Sequence, residues 1–197
     1  MSPSKIVVTG TIASGKSTLI ELLKEFGFPI ISADEINREL LEVGGKNYEA
    51  IKNSAIFDQA FDGNSLDKKA LAQIIFSDRD KLKILNTLTH KNILEEIDKR
   101  AEEADSKVVF IEIPLFFQME ERYEADEVWL LTAAYDTQLT RLMARDGIDL
   151  DYARTKIETQ TDLIKMKSES DVVFDNSSSV EALRNNLENV LKNKDLL

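Results

Sequence analysis

The sequence predicts an α/β fold, a parallel sheet covered by helices, and three observations carry that expectation. Apolar, β-branched runs such as Ile6-Val7-Val8 and Val108-Val109-Phe110-Ile111 read as strands buried on both faces. Stretches with apolar residues at helical spacing separate these runs, as parallel strands require. Between the first strand and the first helix, the segment from Gly10 to Ser17 fits the pattern G-x-x-x-x-G-K-S.

Composition sets the bounds. At 197 residues the chain is one domain, or one core with insertions, long enough to bury a hydrophobic interior. Its 43% hydrophobic and 31% charged residues are those of a soluble globular protein. No apolar run approaches the ~20 residues of a membrane span, no secretory signal is recognisable, and a cytoplasmic location is the expectation. The absence of cysteine excludes disulfides and thiolate chemistry. A net charge of −11 argues against general nucleic-acid binding, which needs a basic stripe. Any phosphate site must therefore concentrate its cations locally.

The first turn is a phosphate cradle. Gly10 and Gly15 let the backbone approach a phosphate closely, so that consecutive N–H groups point inward beside the positive end of the new helix. Ala13, Ser14, Gly15, Lys16, Ser17 and Thr18 are the expected nucleotide-binding residues. Lys16 would lie along the β- and γ-phosphates, and the Ser17 hydroxyl would coordinate Mg2+. The plainer alternative is a glycine turn joining a strand to a helix, but Leu19, Leu22, Leu23 and Phe26 supply the helix that a P-loop requires.

The remaining elements follow in order. Residues 28–34 read as a second strand ending in a polar turn, with Asp34 placed for chemistry at the strand's carboxyl end, or else serving as helix N-cap. Residues 35–105 read as largely helical, broken at Gly44-Gly45 and turning at Asp62-Gly63-Asn64. Leu66, Ala70, Leu71, Ile74 and Ile75 form one stripe there, and Leu82 to Ile97 a longer one. That insertion is too long for a simple crossover and suggests a helical subdomain over the sheet's carboxyl edge. A third strand ends at Glu112, a residue placed to hold magnesium through water or to serve as a structural acid. Leu115-Phe116-Phe117 is either core or substrate wall, and burial is the commoner fate of such residues. A fourth strand, Glu127 to Thr132, precedes a helix on which Arg141 and Arg145 share a face, toward a phosphate site or toward solvent. Residues 149–167 read as two short polar helices with the character of a lid. Asp171 to Asp175 is a fifth strand, and Val180 to Leu191 a closing helix. His90, the only histidine, reads as structural. The fold expected is thus a P-loop NTPase, three-layer α/β/α with a five-stranded parallel sheet, a helical substrate-binding insertion and a lid. Its core would comprise 1–34, 106–147 and 169–197, the insertion 35–105 and the lid 148–168.

Specific segments carry a resemblance: Thr9 to Thr18, Ile31 to Arg38, Leu66 to Leu71, Ile75-Phe76, Leu85-Asn86, His90, Glu112 to Phe117, Gln138 to Arg145, Gln160, and Asp171 to Asn176. Together they resemble the dephospho-CoA kinases, P-loop kinases similar to nucleoside monophosphate kinases. The P-L-F-F segment and the Q-L-x-R-x-x-x-R helix are the specific parts. The resemblance implies transfer of the ATP γ-phosphoryl group to the ribose 3′-hydroxyl of dephospho-CoA, with ATP and Mg2+ required. It implies Asp34 as base, Lys16 and Arg141 as catalytic cations, Arg145 as a nucleotide contact, and Ser17 with Glu112 for the metal. The implied partner is the small-molecule substrate, with neither nucleic acid nor membrane, in a monomer or weak homo-oligomer. The family usually has Asp at Ser32, Gly at Thr11 and Ala13, Arg at Lys68, Pro at Lys91 and Glu at Gln118. These departures leave a related kinase acting on a nucleotide or another small alcohol as the alternative. A nucleotide-dependent switch is disfavoured because D-x-x-G and N-K-x-D motifs are lacking.

Overall fold

β1, Ser4–Gly10, is the middle strand of a five-stranded parallel sheet, which is why its sequence is apolar and β-branched on both sides. The computed structural model describes residues 2–119, 121–160 and 162–197. The other strands of this sheet are β2 (Ile30–Ser32), β5 (Val108–Glu112), β6 (Glu127–Thr132) and β7 (Val172–Asp175), in the order β2-β5-β1-β6-β7. β1 pairs in parallel with β5 through Val7 opposite Ile111, and with β6 through Val8 opposite Trp129. The chain divides into two compact units, one of residues 2–31 with 104–197 and one of residues 32–103.

In the first unit, side chains alternate across the sheet as the pleat demands. Ile6, Val8, Phe110, Trp129, Leu131 and Phe174 share a cluster with Leu19 and Leu23 of α1 (Lys16–Glu25) and Leu183, Leu187 and Leu191 of α9 (Val180–Asn193). The residues of opposite parity, Val7, Val109, Ile111 and Leu130, are also fully buried. Both faces are therefore covered. Trp129 packs against Phe110 and Phe174, and its indole N–H donates to Glu127 Oε2 at 2.8 Å, so its one polar atom is satisfied. After β5 a single 3-10 turn, Phe116–Gln118, buries Phe116 and Phe117, whereas Leu115 remains 59% exposed. After β6 come α6 (Tyr135–Asp146), α7 (Leu150–Glu158) and α8 (Leu163–Ser168). Ala153 of α7 is buried against Leu139 and Leu142 of α6.

The second unit holds α2 (Ala33–Leu40), α3 (Lys46–Asn53), α4 (Lys68–Ser77) and the long α5 (Arg79–Glu103). It also contains a hairpin, β3 (Phe61–Asp62) and β4 (Ser65–Leu66), where helix was expected. Two-residue strands are too short to show an alternating pattern, and only the Gly63-Asn64 turn marks them in the sequence. Leu66 thus belongs to β4 and not to the α4 stripe. The turn is held by α3, since the Tyr48 hydroxyl donates to Asn64 O at 2.5 Å and Lys52 Nζ to Asn64 Oδ1 at 2.9 Å. Ile51, Phe57, Ala60 and Leu71 form this unit's apolar centre. A chain of asparagine amides joins three helices: Asn92 donates to Asn47 at 2.9 Å, and Asn47 to Asn37 at 3.0 Å. Among the described residues no helix is long and apolar enough to cross a membrane.

Leu187 is fully buried between α9 and the sheet, so Leu187→Ala should lower unfolding free energy by about 2–5 kcal/mol. Trp129, the only tryptophan, lies in the same cluster, and its fluorescence during urea unfolding provides the measurement.

Candidate active site

The loop from Gly10 to Lys16 follows the carboxyl end of the central strand, where parallel sheets gather their ligands. Its geometry depends on two residues with left-handed backbone. Gly15 is the N-cap of α1 at φ 90°, a conformation that glycine alone adopts readily, and Ala13 stands at φ 53°. Ala13 takes this position against its intrinsic preference, at a cost of roughly 1–2 kcal/mol. Gly10 is needed for a different reason, because a Cβ there would lie 2.8 Å from Ser14 Oγ.

Hydrogen bonds from surrounding elements hold the loop by its carbonyls and outer amides. Thr11 N–H donates to Leu131 O of β6 at 3.0 Å. Gln138 of α6 donates from Nε2 to Thr11 Oγ1 at 2.5 Å and to Ile12 O at 2.9 Å. Gln160, between α7 and α8, accepts the Ile12 N–H at 3.0 Å. Ser14 O receives Asn176 Nδ2 at 2.8 Å and Arg141 Nη1 at 3.3 Å. Ile12 and Ala13 also pack on the Leu139 and Leu142 cluster. Among the described residues, the amides of Ala13, Gly15, Lys16 and Ser17 donate to nothing. The first amides of a helix lack intrahelical acceptors, and at Lys16 and Ser17 no side chain caps them, which leaves a row of donors suited to an anion.

Lys16 at the start of α1 forms an ion pair with Glu112 at the end of β5, each about one-fifth exposed. Ser17 is exposed on the first turn of α1. Its hydroxyl and the Glu112 carboxylate are hard oxygen donors, a set that fits Mg2+ and not a softer metal. A small crevice at the ends of β1 and β5 is lined by Thr9, Gly10, Pro114, Leu115, Phe117 and Gln160, which makes Leu115 and Phe117 wall residues there.

Asp34 is the second residue of α2, and it does not cap that helix. Ser32 is the N-cap, its hydroxyl accepting from Glu35 N–H at 3.4 Å. The capping reading of Asp34 is thereby corrected: a serine does that work, and the Asp34 carboxylate is exposed in the helix's first turn. Arg141 and Arg145 part company. Arg141 reaches the loop, whereas Arg145 donates from Nε to Asp146 Oδ1 at 2.7 Å at the end of its own helix. Lys156 of α7 adds a contact to Asp146 Oδ2 at 3.1 Å. Lys68 bonds Glu42 on the surface, and Thr11 gives Gln138 one of its two acceptors.

Gln138, Gln160 and Asn176 hold the loop, and residue-by-residue reading assigned them no role. Asn176 follows the carboxyl end of β7, and that placement was the available signal. Gln138 is a buried polar residue at the edge of the apolar stripe of α6.

A family model described as dephospho-CoA kinase matches residues 5–182. The dephospho-CoA kinase of Carboxydothermus hydrogenoformans is 37% identical over 190 residues, covering 95% of this chain and 92% of that protein. The crystal structure of TT1252 from Thermus thermophilus superimposes with a TM-score of 0.83 at 28% identity, covering 98% of both chains. The dephospho-CoA kinase from Campylobacter jejuni superimposes with a TM-score of 0.63 at 28% identity and the same coverage.

Arg145, and then Lys156, hold the Asp146 carboxyl down at about 2 from its ordinary 3.8. A depressed carboxyl stabilises the fold above its unfolded pKa, and the contribution is lost as pH falls through the folded one. The difference in urea midpoint between the intact protein and Asp146→Asn should therefore stay constant from neutral pH to about 4 and vanish toward about 2.

Proposed function

The chain belongs to the dephospho-CoA kinase family, and on that premise we propose that it transfers the γ-phosphoryl group of ATP to the ribose 3′-hydroxyl of dephospho-CoA, giving coenzyme A and ADP. The observation that carries the chemistry is the row of undonated amides at the start of α1 with Lys16 beside it. Phosphoryl transfer asks for little covalent help, so a protein catalyses it chiefly by aligning donor and acceptor and by countering charge.

The amides of Ala13, Gly15, Lys16 and Ser17 cradle the phosphates, and Thr18 completes the first turn behind them. Lys16 exchanges its partner Glu112 for phosphate oxygens and so places its charge where the leaving group gathers electrons. Arg141 lies close to the same peptide and offers a second charge with a forked donor geometry. Arg145 contacts nucleotide once its exposed pairing with Asp146 is exchanged, a small loss for a surface ion pair. Asp34 accepts the proton of the acceptor hydroxyl or orients that hydroxyl as it attacks. Supporting that role is the assignment of helix capping to Ser32, which leaves the exposed Asp34 carboxylate without a capping bond at α2. Ser17 and Glu112 would hold Mg2+, which supplies charge neutralisation between phosphate oxygens.

Residues 35–105 bind the acceptor on this reading, and 148–168 act as a lid. The protein works in the cytoplasm as a monomer or weak homo-oligomer, without nucleic acid. A related kinase acting on a nucleotide or another small alcohol is the alternative left open by the departures at Ser32, Thr11, Lys68, Lys91 and Gln118.

A coupled assay with ATP and dephospho-CoA should show turnover, and a turnover confined to another alcohol would favour the alternative. In that assay Lys16→Ala should lower kcat/KM by at least about a hundredfold, since it removes a charge interaction that strengthens in the transition state. Asp34→Asn should lower kcat far more than it alters the KM for ATP. Wild-type turnover in Asp34→Asn would remove that residue from the chemistry.

A further inference from the structure

We propose that Asn176 is a positioning residue for phosphate binding: through the Ser14 carbonyl it aims and strengthens the Gly15 N–H. The inference rests on the nucleotide reading above and assigns a task at the same site to a residue outside the P-loop motif.

The geometry starts from the Ser14–Gly15 peptide. Ser14 O accepts two hydrogen bonds, from Asn176 Nδ2 at 2.8 Å and from Arg141 Nη1 at 3.3 Å. The peptide is trans and planar, so its N–H points opposite to its carbonyl. Two donors anchoring the oxygen therefore fix the direction of the Gly15 N–H on the far side, at the N-cap of α1, where it donates to nothing among the described residues. Donors on a carbonyl also polarise the amide they belong to, and a charged donor does so more strongly, which makes the linked N–H a better partner for an anion.

Three further observations separate this role from ordinary packing. Asn176 is 4% exposed, and its buried Oδ1 accepts no hydrogen bond among the described residues. A buried acceptor left unpaired is unfavourable, so a side chain kept only to fill space would be apolar. Among the described residues, donation to Ser14 is the one hydrogen bond this side-chain amide makes. The residue's own backbone is also firmly held: Asn176 N–H donates to Thr132 O at 2.8 Å, Ser177 N–H to Asp175 Oδ1 at 2.8 Å, and Ala134 N–H to Ser177 Oγ at 2.7 Å. The donor is thus mounted on the ends of β6 and β7. Finally, a Cβ on residue 15 would collide with the Asn176 amide, so the glycine both adopts the left-handed turn and admits the asparagine.

The test begins with the intact, ligand-free protein. A through-hydrogen-bond NMR coupling between Asn176 Nδ2 and the Ser14 carbonyl carbon is expected, and its absence would overturn the inference. Asn176→Leu, of similar volume but without a donor, should move the Gly15 amide proton upfield. It should also weaken ADP binding about tenfold by calorimetry while changing AMP binding much less, because AMP lacks the β-phosphate. A merely structural asparagine would lower the melting temperature and leave the ratio of ADP to AMP affinity unchanged, which would refute the proposal. Should Asn176→Leu fail to fold, Asn176→Asp keeps the shape, replaces the donor by an acceptor, and is expected to shift both readouts in the same direction. If the intact protein does not bind ADP, the nucleotide reading fails on its own account. The Gly15 resonance still decides the clamp: a shift in the variant supports it, and no shift overturns it.

Discussion

The site depends on one constraint: main-chain N–H groups must point inward at the start of α1, in a conformation that L-residues resist. Gly15 at φ 90° escapes the resistance because it has no Cβ, whereas Ala13 at φ 53° meets it in full. The surrounding structure offsets it by gripping the outside of the loop. Leu131 O takes one amide, Gln138 and Gln160 take the polar atoms of Thr11 and Ile12, and Asn176 with Arg141 hold Ser14 O. These partners come from β6, from α6, from the segment after α7 and from the end of β7, and parallel topology brings them together because β6, β7 and α6 all end or begin at the same edge as β1. Sheet order is thereby linked to the direction of a few N–H bonds.

Charge follows the same logic of local concentration. A chain with net charge −11 nevertheless places Lys16 and Arg141 against the loop. The pairing of Lys16 with Glu112 holds the ammonium partly shielded from water, and under the proposed function an incoming phosphate would exchange one anionic partner for another. Arg145, by contrast, is engaged by an exposed neighbour one residue away, and exposed pairs of that kind are weak.

The strands, the P-loop and the main helices were legible in the sequence because each has a strong local signature: a buried β-branched run, a fixed glycine spacing, a helical stripe. The β3–β4 hairpin was not, since two residues per strand carry no period. Asp34 was legible as a candidate from its position after β2, but its capping alternative could be set aside only with the structure, because Ser32 and Asp34 are both capping residue types. Arg141 and Arg145 were rightly placed on one helix, yet spacing alone could not reveal that one reaches the loop while the other turns to Asp146. Gln138, Gln160 and Asn176 act on backbone atoms more than twenty residues away in sequence. Contacts of that kind leave no local pattern.

If the free amides at the start of α1 bind phosphate as proposed, the binding surface is composed of peptide groups. Amide N–H bonds neither gain nor lose protons anywhere in the range where proteins stay folded, so the cradle itself contributes no titration to ligand capture. Acid or base sensitivity in phosphate binding must then originate in the ligand's own ionisation or in side chains around the rim, which makes a pH profile a way to tell the two classes of contact apart.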